Sequence, residues 1–232
     1  MLSPQTNGFF RSILLRVSSV MALSFGLHTS YVYADTAEFR KLQQRSEQAE
    51  LQNNFGLAIE LNQQLLQLRP KDLDTITTLS GLYGKAESPG KQLAWAQVAL
   101  KLQPNHFPAL INQGNALASL GKSAEAKESF RKAQRIDPSS PLPAYGLGVL
   151  AQESEQHSDA LQLFQAALKL SPNFEDALFN LAVTYANLKN YDEALKILDR
   201  LILQNPGAAD VRYLRAEIQG LLIKNQLRDK KL

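Results

Sequence analysis

A chain of 232 residues with 44% hydrophobic content is long enough to bury one ordinary core or one short repeat array, which excludes disorder along its whole length. It contains no cysteine, so disulfides, Cys-ligated zinc, iron–sulfur clusters, thiol nucleophiles and the lipid-bearing cysteine of a bacterial lipoprotein are all excluded. The formal charge is +3, and the apolar residues fall mainly to Leu and Ala, which favour helix over strand.

The first element in chain order has the layout of a secretory signal peptide. Arg11 and Arg16 stand ahead of an apolar run from Val17 to Leu27, and a more polar stretch ends in Val32-Tyr33-Ala34, with compact residues three and one before Asp35. The run is shorter than the roughly 20 apolar residues needed to span a bilayer as helix. Residues 1–34 are therefore expected to be a leader cleaved after Ala34, leaving the protein periplasmic or secreted. The alternative is an uncleaved anchor that leaves the protein facing the periplasm. Loss of Arg11 and Arg16 leaves 23 basic residues against 22 acidic ones, because no Asp or Glu precedes Asp35. A nearly neutral protein has no general electrostatic reason to hold nucleic acid or anionic membrane, so membrane contact is expected only through the N-terminal segment.

The remainder is periodic. Pro70, Pro104, Pro138, Pro172 and Pro206 recur every 34 residues without a slip. With each Pro taken as repeat position 32, five repeats span 39–72, 73–106, 107–140, 141–174 and 175–208. Position 8 is small throughout: Ser46, Ser80, Gly114, Gly148, Ala182 and Ala216. Position 20 holds Ala58, Gln92, Ala126, Ala160 and Ala194. Small residues on two successive helices let their backbones approach, so each repeat is expected to be an antiparallel helix pair. Position 24 carries Phe130, Phe164 and Leu198, and position 27 carries Ala99, Ala133, Ala167 and Leu201, all on one helical face. Proline ends the second helix and sets the turn into the next repeat. One pair cannot bury its apolar face alone, so the core is expected to run along a solenoid.

These residues closely resemble the tetratricopeptide repeat family, met most fully by Leu147-Gly148, Ala160, Phe164 and Pro172, and by Leu181-Ala182, Tyr185, Ala194 and Pro206. The resemblance runs from Phe39 to about Arg228. It implies an all-α fold, an α-solenoid of antiparallel helix pairs wound as a right-handed superhelix. Residues 209–228, with Val211, Leu214, Ile218, Leu221 and Leu222 at helical spacing, read as a C-terminal capping helix followed by a basic tail at 229–232. The second repeat departs from the pattern, with Gln92 at position 20 and Ser88-Pro89-Gly90 in its turn. Its second helix is expected to start late or pack loosely.

The family's concave surface, lined by the first helix of each pair, usually holds peptides, which maps repeat positions 5, 6, 9, 12 and 13 to a groove. Position 5 supplies Ile111, Tyr145, Phe179 and Tyr213, a bulky row that either receives a partner's apolar side chains or fills space between neighbouring first helices. Position 6 supplies Asn112 and Asn180, position 9 Asn115 and Val149, and position 13 Asn187, with amides able to bond a peptide backbone. The carboxylate clamp of chaperone-tail-binding members is matched only in part, because Leu142 and Gly146 stand where clamp cations are expected. His28, His106 and His157 are too scattered to ligate a metal, and neither a phosphate loop nor a serine-nucleophile motif is present. The expected function is thus a non-enzymatic adaptor in the bacterial envelope, without cofactor or metal, binding a protein or peptide partner. A holdase-like chaperone for exported clients and a cytosolic adaptor whose N-terminal segment is no leader are the alternatives. The sequence does not reveal the oligomeric state.

Overall fold

A computed structural model describes residues 37–229, so the expected leader and the tail residues Lys230 and Lys231 lie outside the described residues. Among the described residues there are eleven helices and no strand. They are α1 (37–51), α2 (Phe55–Leu68), α3 (Leu73–Lys85), α4 (Pro89–Leu102), α5 (Phe107–Ser119) and α6 (Ser123–Ile136). They continue as α7 (Leu142–Glu153), α8 (His157–Leu170), α9 (Glu175–Asn187), α10 (Tyr191–Gln204) and α11 (Ala209–Asp229). The described residues divide into two compact units, one ending at Thr75 and the other beginning at Ile76.

One backbone geometry makes every turn inside a pair. Asn53, Glu87, Gly121, Glu155 and Lys189 all stand at repeat position 15 and all have φ between 51° and 72°. The next residue's N–H then donates to the carbonyl five residues back: Asn54 to Ala49, Ser88 to Tyr83, Lys122 to Leu117, Gln156 to Ala151 and Asn190 to Tyr185, at 2.8 to 2.9 Å. This left-handed residue with its long return bond closes the helix end that would otherwise leave carbonyls unpaired. Only Gly121 adopts that conformation freely, and each of the other four costs on the order of 1 kcal/mol. In α11 the same position is Ile223, whose branched side chain disfavours φ > 0. There the helix runs on to 21 residues, where α3, α5 and α9 stop at 13.

In the first unit α1 and α2 are joined by polar contacts as well as by burial of Phe39, Leu42, Ala49, Ala58, Leu61 and Leu65. The Asn62 amide donates to Ser46 Oγ at 2.6 Å and to the Ala58 carbonyl at 2.8 Å, and the Arg69 guanidinium lies 3.9 Å from the Phe39 ring centroid. Asn62 and Ser46 occupy positions 24 and 8 and are 3% and 4% exposed. Asn62→Leu alone should therefore cost about 1–3 kcal/mol, because the Ser46 hydroxyl is stranded beside a larger apolar group. Adding Ser46→Ala should return most of it. Urea unfolding followed by circular dichroism checks this, and a double variant no firmer than the single one would refute the coupling.

In the second unit α5 and α7 each pack against their own second helix, the preceding second helix and the next first helix, as α7 does with α8, α6 and α9. The facing residues of each pair are matched in size. A Cβ on Gly114 would lie 2.5 Å from the Phe130 ring, and one on Gly148 would lie 2.7 Å from the Phe164 ring. Where position 8 is Ala182, position 24 is the smaller Leu198, in the same apolar cluster. Gly146, on the following first helix, also abuts Phe130 so closely that a Cβ would fall 2.5 Å from the ring. Gly146 is thus a seat for a neighbour's ring, which is why no clamp cation can stand there.

The expectation of a late or loose α4 is corrected. It begins at Pro89, the same repeat position as Phe55, Ser123, His157 and Tyr191 at the starts of α2, α6, α8 and α10. Proline is tolerated in a first turn because its missing N–H would have had no helical partner. Gln92 fits because Gly84 faces it, with space for a Cβ only 2.6 Å from its Nε2, and because the Ser80 hydroxyl donates to the Gln92 carbonyl at 2.8 Å.

Candidate functional site

The first helices α5, α7 and α9 carry every expected partner-binding residue except Tyr213, and the structure sorts these residues into three groups. Ile111 is a correction: it is 9% exposed and belongs to the cluster of Leu110, Leu117, Phe130, Leu147 and Leu150. It has no surface to offer a partner. Position 5 lies at the join between repeats, so an aliphatic side chain of that length is drawn into the core.

A second group ties neighbouring first helices together. The Asn112 amide donates to the Thr77 carbonyl at 3.2 Å, and the Asn180 amide donates to the Tyr145 hydroxyl at 3.2 Å, each reaching back to position 5 of the preceding repeat. Asn180 also donates to the Asp176 carbonyl at 2.9 Å. Tyr145 is half-buried, with its ring centroid 5.9 Å from that of Phe164 and 4.9 Å from that of Phe174. Burial, joined by the nearby Asp176 carboxylate, raises the Tyr145 phenol above its ordinary value, against the Asn180 hydrogen bond that lowers it. For Tyr145, the space-filling reading of the aromatic row is the one the packing favours.

The third group remains available. Val149 and Asn187 line a depression of about 560 Å³ with Gln152, Glu153, Glu155 and His157, the engaged Asn180 forming part of the wall. Phe179 is half-buried and lines a neighbouring depression of about 270 Å³ with Asp176, Asn180 and Asp210 among its walls. Asn115 is exposed on α5, and Tyr213 on α11 is 74% exposed, with no later pair among the described residues to cover it.

Sequence reasoning assigned repeat positions 12 and 13 to this surface but did not single out Gln152, Glu153 or His157. Gln152 Oε1 and His157 Nδ1 are buried atoms without a hydrogen-bond partner. Both atoms are sealed from solvent, and the polar groups of the wall that a partner can reach are those of exposed Glu153, Glu155 and Asn187. The surface charge agrees in sign: α5, α7 and α9 contain Glu153, Glu175 and Asp176 and no Lys or Arg. No three metal-ligating side chains gather among the described residues, and what is brought together is acceptors, carboxylates and apolar walls rather than a nucleophile with its base.

Tetratricopeptide repeat sequence models match residues 107–140 and 151–218. Human Protein O-mannosyl-transferase TMTC3 is 31% identical over 132 residues, which are 56% of this chain and 13% of that protein. The chain thus spans a small part of that relative. The crystal structure of a thermophilic TPR protein from Thermus thermophilus superposes with a TM-score of 0.71 at 17% identity, covering 78% of this chain and 98% of that one. YrrB, described as a TPR protein with an unusual peptide-binding site, superposes with a TM-score of 0.51 at 19% identity, covering 74% and 88%. At such identities the likeness is one of fold.

Proposed function

Because the chain belongs to the tetratricopeptide repeat family, we propose that it is a non-enzymatic adaptor holding an extended segment of a partner protein across α7 and α9. The observation that carries this reading is one depression of about 560 Å³ in which exposed Glu153, Glu155 and Asn187 surround the apolar Val149. A partner's main-chain N–H groups would donate to the exposed Glu153 and Glu155 carboxylates. Asn187 adds an exposed amide that can both give and accept, and Val149 offers an apolar floor for a side chain. A peptide-binding site is described for the structural neighbour YrrB, which supports this use of the fold. The arrangement of Arg11, Arg16, the apolar run and Ala34 supports work in the cell envelope.

Crosslinking in cells followed by recovery of the protein tests the reading. Asn187→Arg, at an exposed position, should cut the recovered partner about tenfold, the effect of losing about 1.4 kcal/mol, while the melting curve stays in place. Undiminished recovery removes this surface from consideration. One partner in fixed ratio supports the adaptor, whereas many unrelated unfolded chains would replace it with a holdase. Fractionation addresses the compartment, where a mature chain beginning at Asp35 in the periplasm is expected.

A further inference from the structure

The last helix, α11, is apolar on two opposite sides. Val211 and Ile218 are buried, and Leu214 and Leu222 half-buried, in the cluster shared with Leu195, Leu198 and Leu201 of α10. On the far side Tyr213, Ala216, Gly220, Ile223 and Leu227 follow one another at spacings of three, four, three and four residues, which makes a straight stripe along a helix. The large members stand in solvent, with Tyr213 74%, Ile223 49% and Leu227 56% exposed. In each earlier pair this side of the first helix is where the second helix lies: Gly114 and Gly148, at the position of Ala216, receive Phe130 and Phe164. Among the described residues α11 has no second helix to follow it.

Two observations identify what covers the stripe. Gly220 sits in the middle of a 21-residue helix, where glycine costs about 1 kcal/mol relative to alanine, and a Cβ there would meet nothing within 4 Å. Among the described residues nothing makes use of the missing side chain, whereas a second helix crossing at that point would. The stripe is also complementary to itself when reversed. An antiparallel copy centred on Gly220 puts Ile223 of one chain over Ala216 of the other and Leu227 over Tyr213. It also sets Lys224 beside Glu217, two turns away on the same edge, so that opposite charges meet twice. A parallel copy in register would instead bring Ile223 against Ile223 and hold Glu217 and Lys224 of the two chains on opposite outer edges, unpaired. Arg215 takes no part, being paired with Asp199 on α10.

We propose that the free side of α11 docks a second copy of this chain in antiparallel fashion, giving a two-fold dimer with Gly220 at the crossing. Each α11 supplies the other with the covering helix that an additional pair would have provided. Ile223 stands to Ala216 as Phe130 stands to Gly114, large over small. A depression of about 640 Å³ beside the stripe, lined by Tyr191, Leu221, Ile223, Lys224 and Leu227 among others, gives the incoming helix its bed.

Sedimentation equilibrium on the purified protein between roughly 1 and 100 µM tests the proposal. A reversible dimer is expected. Gly220→Leu should raise its dissociation constant about 30-fold or more while leaving the melting temperature, read at dilution where both proteins are monomeric, unchanged or higher, since the space around Gly220 is open and leucine favours helix. Lys224→Glu should weaken the dimer about tenfold, and Glu217→Lys in the same chain should restore it. A monomer over the whole range, a dimer indifferent to Gly220→Leu, or a charge reversal that fails to restore association would each overturn it.

Discussion

Phe130→Ala should lower stability by about 3–5 kcal/mol. The ring is 1% exposed and lies between Gly114 of its own pair and Gly146 of the next, so two repeats lose their common filler at once. Neither glycine has a side chain that can swing into the cavity, which puts the cost at the upper end of that range. Stability in such arrays is close to a sum of repeat terms and nearest-neighbour terms, and this substitution cuts one of each. Urea unfolding followed by circular dichroism measures the loss, and amide exchange should show α5, α6 and α7 losing protection ahead of α10. A loss below about 1 kcal/mol would contradict the packing described between the third and fourth repeats.

Gly148→Ala should cost about 1–3 kcal/mol, although alanine is the better helix former, because its Cβ would fall 2.7 Å from the Phe164 ring. The remedy is written elsewhere in the chain. Ala182 with Leu198 is the same contact one size step along, so Gly148→Ala combined with Phe164→Leu should be more stable than the sum of the single changes predicts. Interaction energies between touching residues reach about 0.5–3 kcal/mol, well above the scatter of thermal melts. Simple additivity of the two changes would show that the ring and the glycine do not answer to one another.

The parts of the fold legible in the sequence are those set by hard contact. Five prolines at fixed intervals and small residues at positions 8 and 20 are steric requirements, and each forbids most other residue types. The left-handed residue at position 15 was not legible, since only Gly121 advertises it and Asn53, Glu87, Glu155 and Lys189 adopt it under the pull of the return hydrogen bond. Gln92 misled because its partner Gly84 is eight residues away, in a column where glycine is not general. The binding surface was read less well because one column need not have one environment. Ile111 is buried, Tyr145 is wedged between Phe164 and Phe174, and Tyr213 stands in solvent, although all three share position 5. Asn112 and Asn180 were read as groove amides because sequence cannot say whether an amide is already engaged. The unmet atoms of Gln152 and His157 are invisible to it for the same reason.

The size matching across each hairpin also bears on how such a chain avoids folding wrongly. Near-identical modules in tandem invite exchange, in which a helix from one module lodges in another or in a neighbouring molecule. Here the substitutes do not fit: Phe130 offered to Ala182 meets a methyl where it needs bare backbone, Leu198 offered to Gly114 leaves a void, and Asn62 offered to either loses the hydroxyl of Ser46. The first, third and fifth hairpins therefore carry different locks and keys, the fourth sharing that of the third, and the small irregularities that blur the repeat also proofread its assembly.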